Sequence, residues 1–205
     1  MEKRVRRDLV IGICFFLILL YLTSFNSQAS LIFVTLGGKM GFSFASLVLA
    51  IATILLFYWG DVFFGINFRI RHYLFMTFIA SCSFSSLYFS IISYDKILHF
   101  VEPLMAASII FFMMKGWKIK PVWKLMLTFF VIAGILGSFE LVEFGLDSFF
   151  NLNTQGVFIA EASGKLITIM DPNTDTMVDM LTGYVGILLY VIPMHFYLKR
   201  KKRKR

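Results

Sequence analysis

Three short sets of ionisable residues have the types and spacing to do chemistry: Asp95, His99 and Glu102; Glu140 and Glu143; Asp175 and Asp179. Their spacings are i, i+4, i+7, then i, i+3, then i, i+4, so each set lies on one face of a helix. Oxygen-rich donors with one imidazole suit a hard or borderline divalent ion such as Mg²⁺, Mn²⁺, Fe²⁺ or Zn²⁺. Such an ion would polarise a phosphoryl or carbonyl group and activate a bound water, while an unliganded Glu serves as base. The expected metal ligands are Asp95, His99, Asp175 and Asp179. Glu140 and Glu143 are the expected catalytic residues, as ligand or general base.

The setting gives these patterns their weight. Of the 205 residues, 59% are hydrophobic and 25 are Phe, with a mean hydropathy of +0.80. That composition excludes an ordinary soluble globule and implies an integral membrane protein. A helix needs roughly 20 apolar residues to cross the hydrocarbon, and six stretches qualify: 9–25, 42–59, 73–92, 97–114, 125–144 and 177–197. Lipid offers no partner for an unsatisfied amide, and the runs do not alternate as barrel strands would. The expected fold is all-α, one polytopic bundle of about six transmembrane helices over residues 1–205.

Charge orients the bundle. With a cytoplasmic N-terminus, the inner segments are 1–8, 69–72, 115–124 and 199–205, which hold 17 of the 20 Lys and Arg. Only Lys39, Lys96 and Lys165 fall outside them. The positive-inside rule then places both termini in the cytoplasm. The net charge of +8 is therefore mostly topology signal. The tail Lys199–Arg205 points to anionic lipid at the membrane surface and not to nucleic acid. The basic start and long apolar run, with no small-x-small site following, predict an uncleaved anchor span.

This orientation brings the three sets to one depth. The fourth span runs inward from Asp95, the fifth runs outward through Glu140 and Glu143, and the sixth starts at Asp175 and Asp179. All therefore meet the outer leaflet. A carboxylate at mid-bilayer costs about 2.5–3.5 kcal/mol on insertion scales, so these acids require pairing, protons or metal. Lys96 points about 100° away from Asp95 around the helix, and Lys165 lies in a loop. Bound metal or shared protons are thus expected to compensate the acids.

Simpler roles compete residue by residue. His99 taken alone is more often a structural hydrogen-bonding group than a ligand, and Asp95 and Asp175 each read equally as a helix cap. Asp179, Glu140 and Glu143 lie inside helices, where capping does not explain them. Pro103 should bend the fourth span beside Glu102. Asp147 continues the glutamate face at the interface, whereas interfacial solvation accounts for Asp61, His72 and His195. Gly134, Gly137, Gly183 and Gly186 suit close helix packing. Cys14 and Cys82 support neither a disulfide framework nor a zinc thiolate site. The apolar run Leu31–Leu36 is too short to span and reads as interfacial or re-entrant. The long outer segment 147–175 reads as a lid or a mobile loop.

Several stretches resemble the YjdF-like group of bacterial inner-membrane proteins and, more distantly, the VanZ-like proteins. They are Tyr94-Asp95-Lys96-Ile97-Leu98-His99-Phe100, Phe139-Glu140-Leu141-Val142-Glu143-Phe144 and Asp175-Thr176-Met177-Val178-Asp179-Met180, with Asn153-Thr154-Gln155-Gly156 in the outer loop. The similarity covers about residues 94–189. It implies a polytopic helical bundle in a bacterial cytoplasmic membrane, and VanZ-like proteins are associated with glycopeptide resistance. The group is expected to carry small residues where this chain has Glu102-Pro103.

Three functions follow. The first is a hydrolase or transferase that uses an outward-facing metal site on a lipid or lipid-linked envelope substrate. The second is a proton- or ion-coupled transporter, although the inner half lacks a matching polar path. The third is a structural or accessory protein whose acids join helices, an inefficient glue at under about 1 kcal/mol per interhelical contact.

Overall fold

A computed structural model describes residues 4–6, 8–13, 39–83, 94–150, 155, 157–160 and 166–203. Among these the helices are α1 (8–13), α2 (Lys39–Phe64), α3 (Ile70–Ser83), α4 (Tyr94–Met113), α5 (Pro121–Phe150) and α6 (Pro172–Arg203). Among the described residues, three stretches are long and apolar enough to cross a membrane: Tyr94–Gly116, Pro121–Phe149 and Pro172–Arg203. Of the expected first span only residues 9–13 are described; its remainder, the following segment through residue 38 with Leu31–Leu36, and the end of the third span lie outside the described residues.

The all-α expectation needs one correction. Strands β1 (Val157–Ala160) and β2 (Leu166–Met170) pair antiparallel in the segment between α5 and α6. Both are short runs rich in β-branched and apolar residues, the composition that suits a pleated ladder. The helices flanking this hairpin also run past the apolar cores that delimited their spans, α5 to Phe150 and α6 from Pro172 to Arg203.

The chain divides into two compact units, Met1–Tyr94 and Asp95–Arg205. In the first, Ala50, Ile54 and Ala80 form an apolar core. Gly65 ends α2 at φ +59°, and the Ile66 amide donates to the Asp61 carbonyl at 3.2 Å, the hydrogen bond of a Schellman cap. The Asp61 carboxylate then accepts the Phe68 amide at 3.0 Å and the Tyr73 hydroxyl at 2.6 Å, tying the turn to α3. Interfacial solvation does not describe these residues. Asp61 is 2% exposed and His72 fully buried, the latter accepting the Arg69 amide through Nδ1 at 3.1 Å. Their polar atoms are satisfied by protein, which is what permits the burial. His195, by contrast, is exposed.

The second unit is a three-helix bundle. Buried positions on α5 recur at Leu125, Thr128, Ile132, Leu136 and Glu140, and on α6 at Asp175, Asp179, Gly183, Gly186 and Ile187. Steps of three and four keep each set on one face. Ala107 of α4 joins Ile132, Leu136 and Ile187 in one apolar core. The α6 glycines set the spacing: a Cβ on Gly186 would overlap the Phe100 carbonyl, and one on Gly183 the Leu136 side chain. Among the described residues, Gly134 and Gly137 meet open space instead, so there the close packing falls to the α6 pair. Contacts pair Lys96 with Asp175 and Asp179, His99 with Gly183 and Phe111 with Tyr190. Helices α4 and α6 therefore run parallel, and α5 runs against them.

Candidate functional site

Each buried stripe of the second unit carries its acidic residues at one end. That end is the start of α4, the end of α5 and the start of α6, which brings the three sequence motifs together.

The start of α6 is fixed by Asp171. Its Oδ1 accepts the Thr174 amide at 3.1 Å and its carbonyl accepts the Asp175 amide at 2.9 Å. Pro172 follows at the first helical position, where its missing N–H costs nothing. Hydrogen bonds from the Thr174 side chain and backbone hold the exposed Asp171 carboxyl below the usual carboxylate range. The capping role open to Asp175 thus belongs to Asp171, four residues earlier. Asp175 is instead 2% exposed and turned into the bundle.

There it meets Lys96, and the expectation that the acids lack a cation is overturned. The Lys96 Nζ donates to Asp175 Oδ1, to Asp95 Oδ2 at 2.9 Å, and to Asp179 Oδ1 and Oδ2 at 2.7 Å each. The 100° offset between positions 95 and 96 directs Lys96 towards α6, and a four-carbon stem carries the ammonium back to Asp95. One ammonium with three donors serves three aspartates.

His99 completes this group. Its Nε2 lies 3.4 Å from Asp95 Oδ1, one helical turn away. One donor atom each from Asp95, His99 and Asp179 falls within 4.8 Å of the other two. Two carboxylates and an imidazole at that separation can hold a divalent ion. Pro103 lies within α4 and has no amide hydrogen to give the His99 carbonyl. That carbonyl is 3.4 Å from where a Cβ on Gly183 would stand.

The glutamates lie on the same face of α5. Glu140 is 6% exposed, and its Oε2 is buried with no hydrogen-bond partner among the described residues. Glu143 is half-buried and interacts electrostatically with Glu140, Asp95, His99 and Asp179. Glu102 is half-buried on α4. Gln155, which spacing did not single out, closes this end from above. Its amide Nε2 donates to Thr176 Oγ1 at 3.1 Å and to the Glu140 carbonyl at 3.5 Å. Asp147 Oδ2 accepts its backbone N–H at 2.8 Å. Asp147 therefore anchors the connecting segment.

A family model described as a predicted membrane protein, DUF2238, matches residues 8–200. The chain belongs to this family. DUF2238 is the family of the YjdF-like proteins, so that resemblance stands, whereas the VanZ-like one has no counterpart in the match. No curated protein and no solved structure matches the chain. In this DUF2238 member the three motif stretches supply Asp95, Lys96 and His99, then Glu140 and Glu143, then Asp175 and Asp179. All belong to one unit. Of the fourth stretch only Gln155 is described, and it sits against Glu140 and Thr176.

Proposed function

We propose that this DUF2238 protein is a multi-pass protein of a bacterial plasma membrane carrying an outward-facing divalent-metal centre. The centre would serve hydrolysis or group transfer on a lipid or lipid-linked envelope substrate. The observation that carries this reading is the approach of Asp95, His99 and Asp179 donor atoms to within 4.8 Å of one another. A second supports it: a carboxylate oxygen of Glu140, buried without a hydrogen bond among the described residues, is costly unless a ligand or proton reaches it. In this reading Asp95, His99 and Asp179 hold the ion and Asp175 retains Lys96. Glu140 and Glu143 are left to accept a proton from the attacking water or alcohol.

Metal analysis of the purified protein tests the reading. Stoichiometric Mg, Mn, Fe or Zn is expected, reduced in His99→Ala and Asp179→Asn. The absence of any such ion, with thermal stability indifferent to chelator, would sink it. If turnover of a lipid-linked substrate is found, Glu143→Gln should abolish it while the protein still folds.

The Lys96 cluster favours a second reading, a non-catalytic clasp that joins α4 to α6. In that case Lys96→Met and Asp179→Asn destabilise the protein and bind no metal differently. A transporter gains less support, because Ala107, Ile132, Leu136 and Ile187 put an apolar layer directly beneath the acids in this unit.

A further inference from the structure

The end of the second unit remote from the acids carries a different feature. Between the start of α5 and the end of α6 runs a groove of about 530 Å³, walled by Val122, Met126 and Phe130 on one side and Leu188, Ile192 and Phe196 on the other. Phe130, the α5 wall residue nearest the acids, is about 15 Å from Glu140 along the helix at 1.5 Å per residue, so the groove is separate from the acidic cluster. Its walls are open: Phe130 is 63% and Phe196 56% exposed.

Charge marks one end of this groove. His195 lines it, and Lys199 and Arg203 follow at four-residue steps on the same face of α6, both exposed. Lys118 and Lys120 are exposed just before α5. No Asp or Glu occurs in residues 103–139 or 180–205, so nothing on these segments offsets the positive field. An apolar channel that ends in uncompensated cations matches an amphiphile with a long hydrocarbon chain and an anionic head.

We infer that this groove is a binding site for an anionic phospholipid. One acyl chain lies between α5 and α6, and the phosphate is held at His195, Lys199 and Arg203. A basic tail alone attracts anionic lipid without seating it. The groove adds a defined place for the chain, so retention requires both features.

The test uses the full chain purified in detergent, stripped of lipid, then titrated with phosphatidylglycerol or phosphatidylcholine and weighed by native mass spectrometry. Wild type is expected to retain phosphatidylglycerol preferentially. Combined Lys199→Gln and Arg203→Gln should reduce that preference about fivefold per residue. Leu188→Trp, which fills the groove and leaves every charge in place, should lose the bound lipid. Met126→Trp from the opposite wall repeats the test if the first variant misfolds by circular dichroism. Equal retention of both lipids by wild type would overturn the inference, as would undiminished phosphatidylglycerol on the filled variants. Loss of a dimer on filling, with no change in lipid, would assign the groove to a second copy instead.

Discussion

The Lys96 ammonium lies 2.7 Å from both carboxylate oxygens of Asp179, a residue 83 positions further along the chain. A bifurcated contact of this kind puts a positive nitrogen where a carboxylate would otherwise chelate an ion. Lysine and a bound metal would therefore compete for the same oxygens.

Replacing Lys96 by Met should expose that competition. The variant leaves three aspartates without their shared cation, and removing one partner of a buried ion pair costs about 3–5 kcal/mol. A large fall in the thermal midpoint in detergent is expected when chelator is present. Added Mn²⁺ or Zn²⁺ should restore it more fully than in wild type if the carboxylates accept metal. A midpoint indifferent to metal would leave the clasp reading in possession of the cluster.

Glu140→Gln should separate stability from function. The amide replaces a buried carboxylic group that has an oxygen without a hydrogen-bond partner among the described residues and keeps the shape of the side chain, so the folded protein is expected to be unchanged or stabilised by up to about 2 kcal/mol. Any metal-dependent turnover should nevertheless fall. Denaturation and activity measured on one preparation check both halves.

Alanine at the two α6 glycines should have unequal effects. At Gly186 the new methyl meets the Phe100 carbonyl, which is backbone, whereas at Gly183 it meets the end of the Leu136 side chain. Overpacking typically costs about 1–3 kcal/mol; Gly186→Ala belongs at the top of that range and Gly183→Ala at the bottom. Thermal midpoints of the two variants supply the comparison.

Asp171 predicts a pH dependence. Its folded pKa is depressed by the Thr174 hydrogen bonds, so its contribution is complete above the unfolded carboxylate value of about 3.9. It is lost as pH falls through the lower folded value. Asp171→Ala should therefore be less stable than wild type at neutral pH. The two should converge in strong acid, as read from helix-end hydrogen exchange or melting curves.

The sequence carried the three long helices of the second unit, the common end at which their acids meet and the glycine face of α6, because periodicity in an apolar run leaves few alternatives. Lys96 was misjudged since its direction was taken from its own helix, whereas its partners lie on another. Capping stands open for Asp175 in the sequence because two aspartates four residues apart offer the same chemistry. Only the true start of α6 chooses Asp171 between them. Asp61 and His72 looked interfacial by position, yet a tight turn buries both and supplies their hydrogen bonds. The hairpin was hidden in a segment whose apolar residues are too few to span.

The notch at Gly186 has a mechanical meaning. With the Phe100 carbonyl seated against it, α4 and α6 cannot slide past one another without backbone collision, so the aspartates and the imidazole hold a fixed gauge. Were an ion to bind, the lysine arm would be the part that yields, with no helix movement of microseconds or longer. The arrangement is a rigid socket with one moving pin.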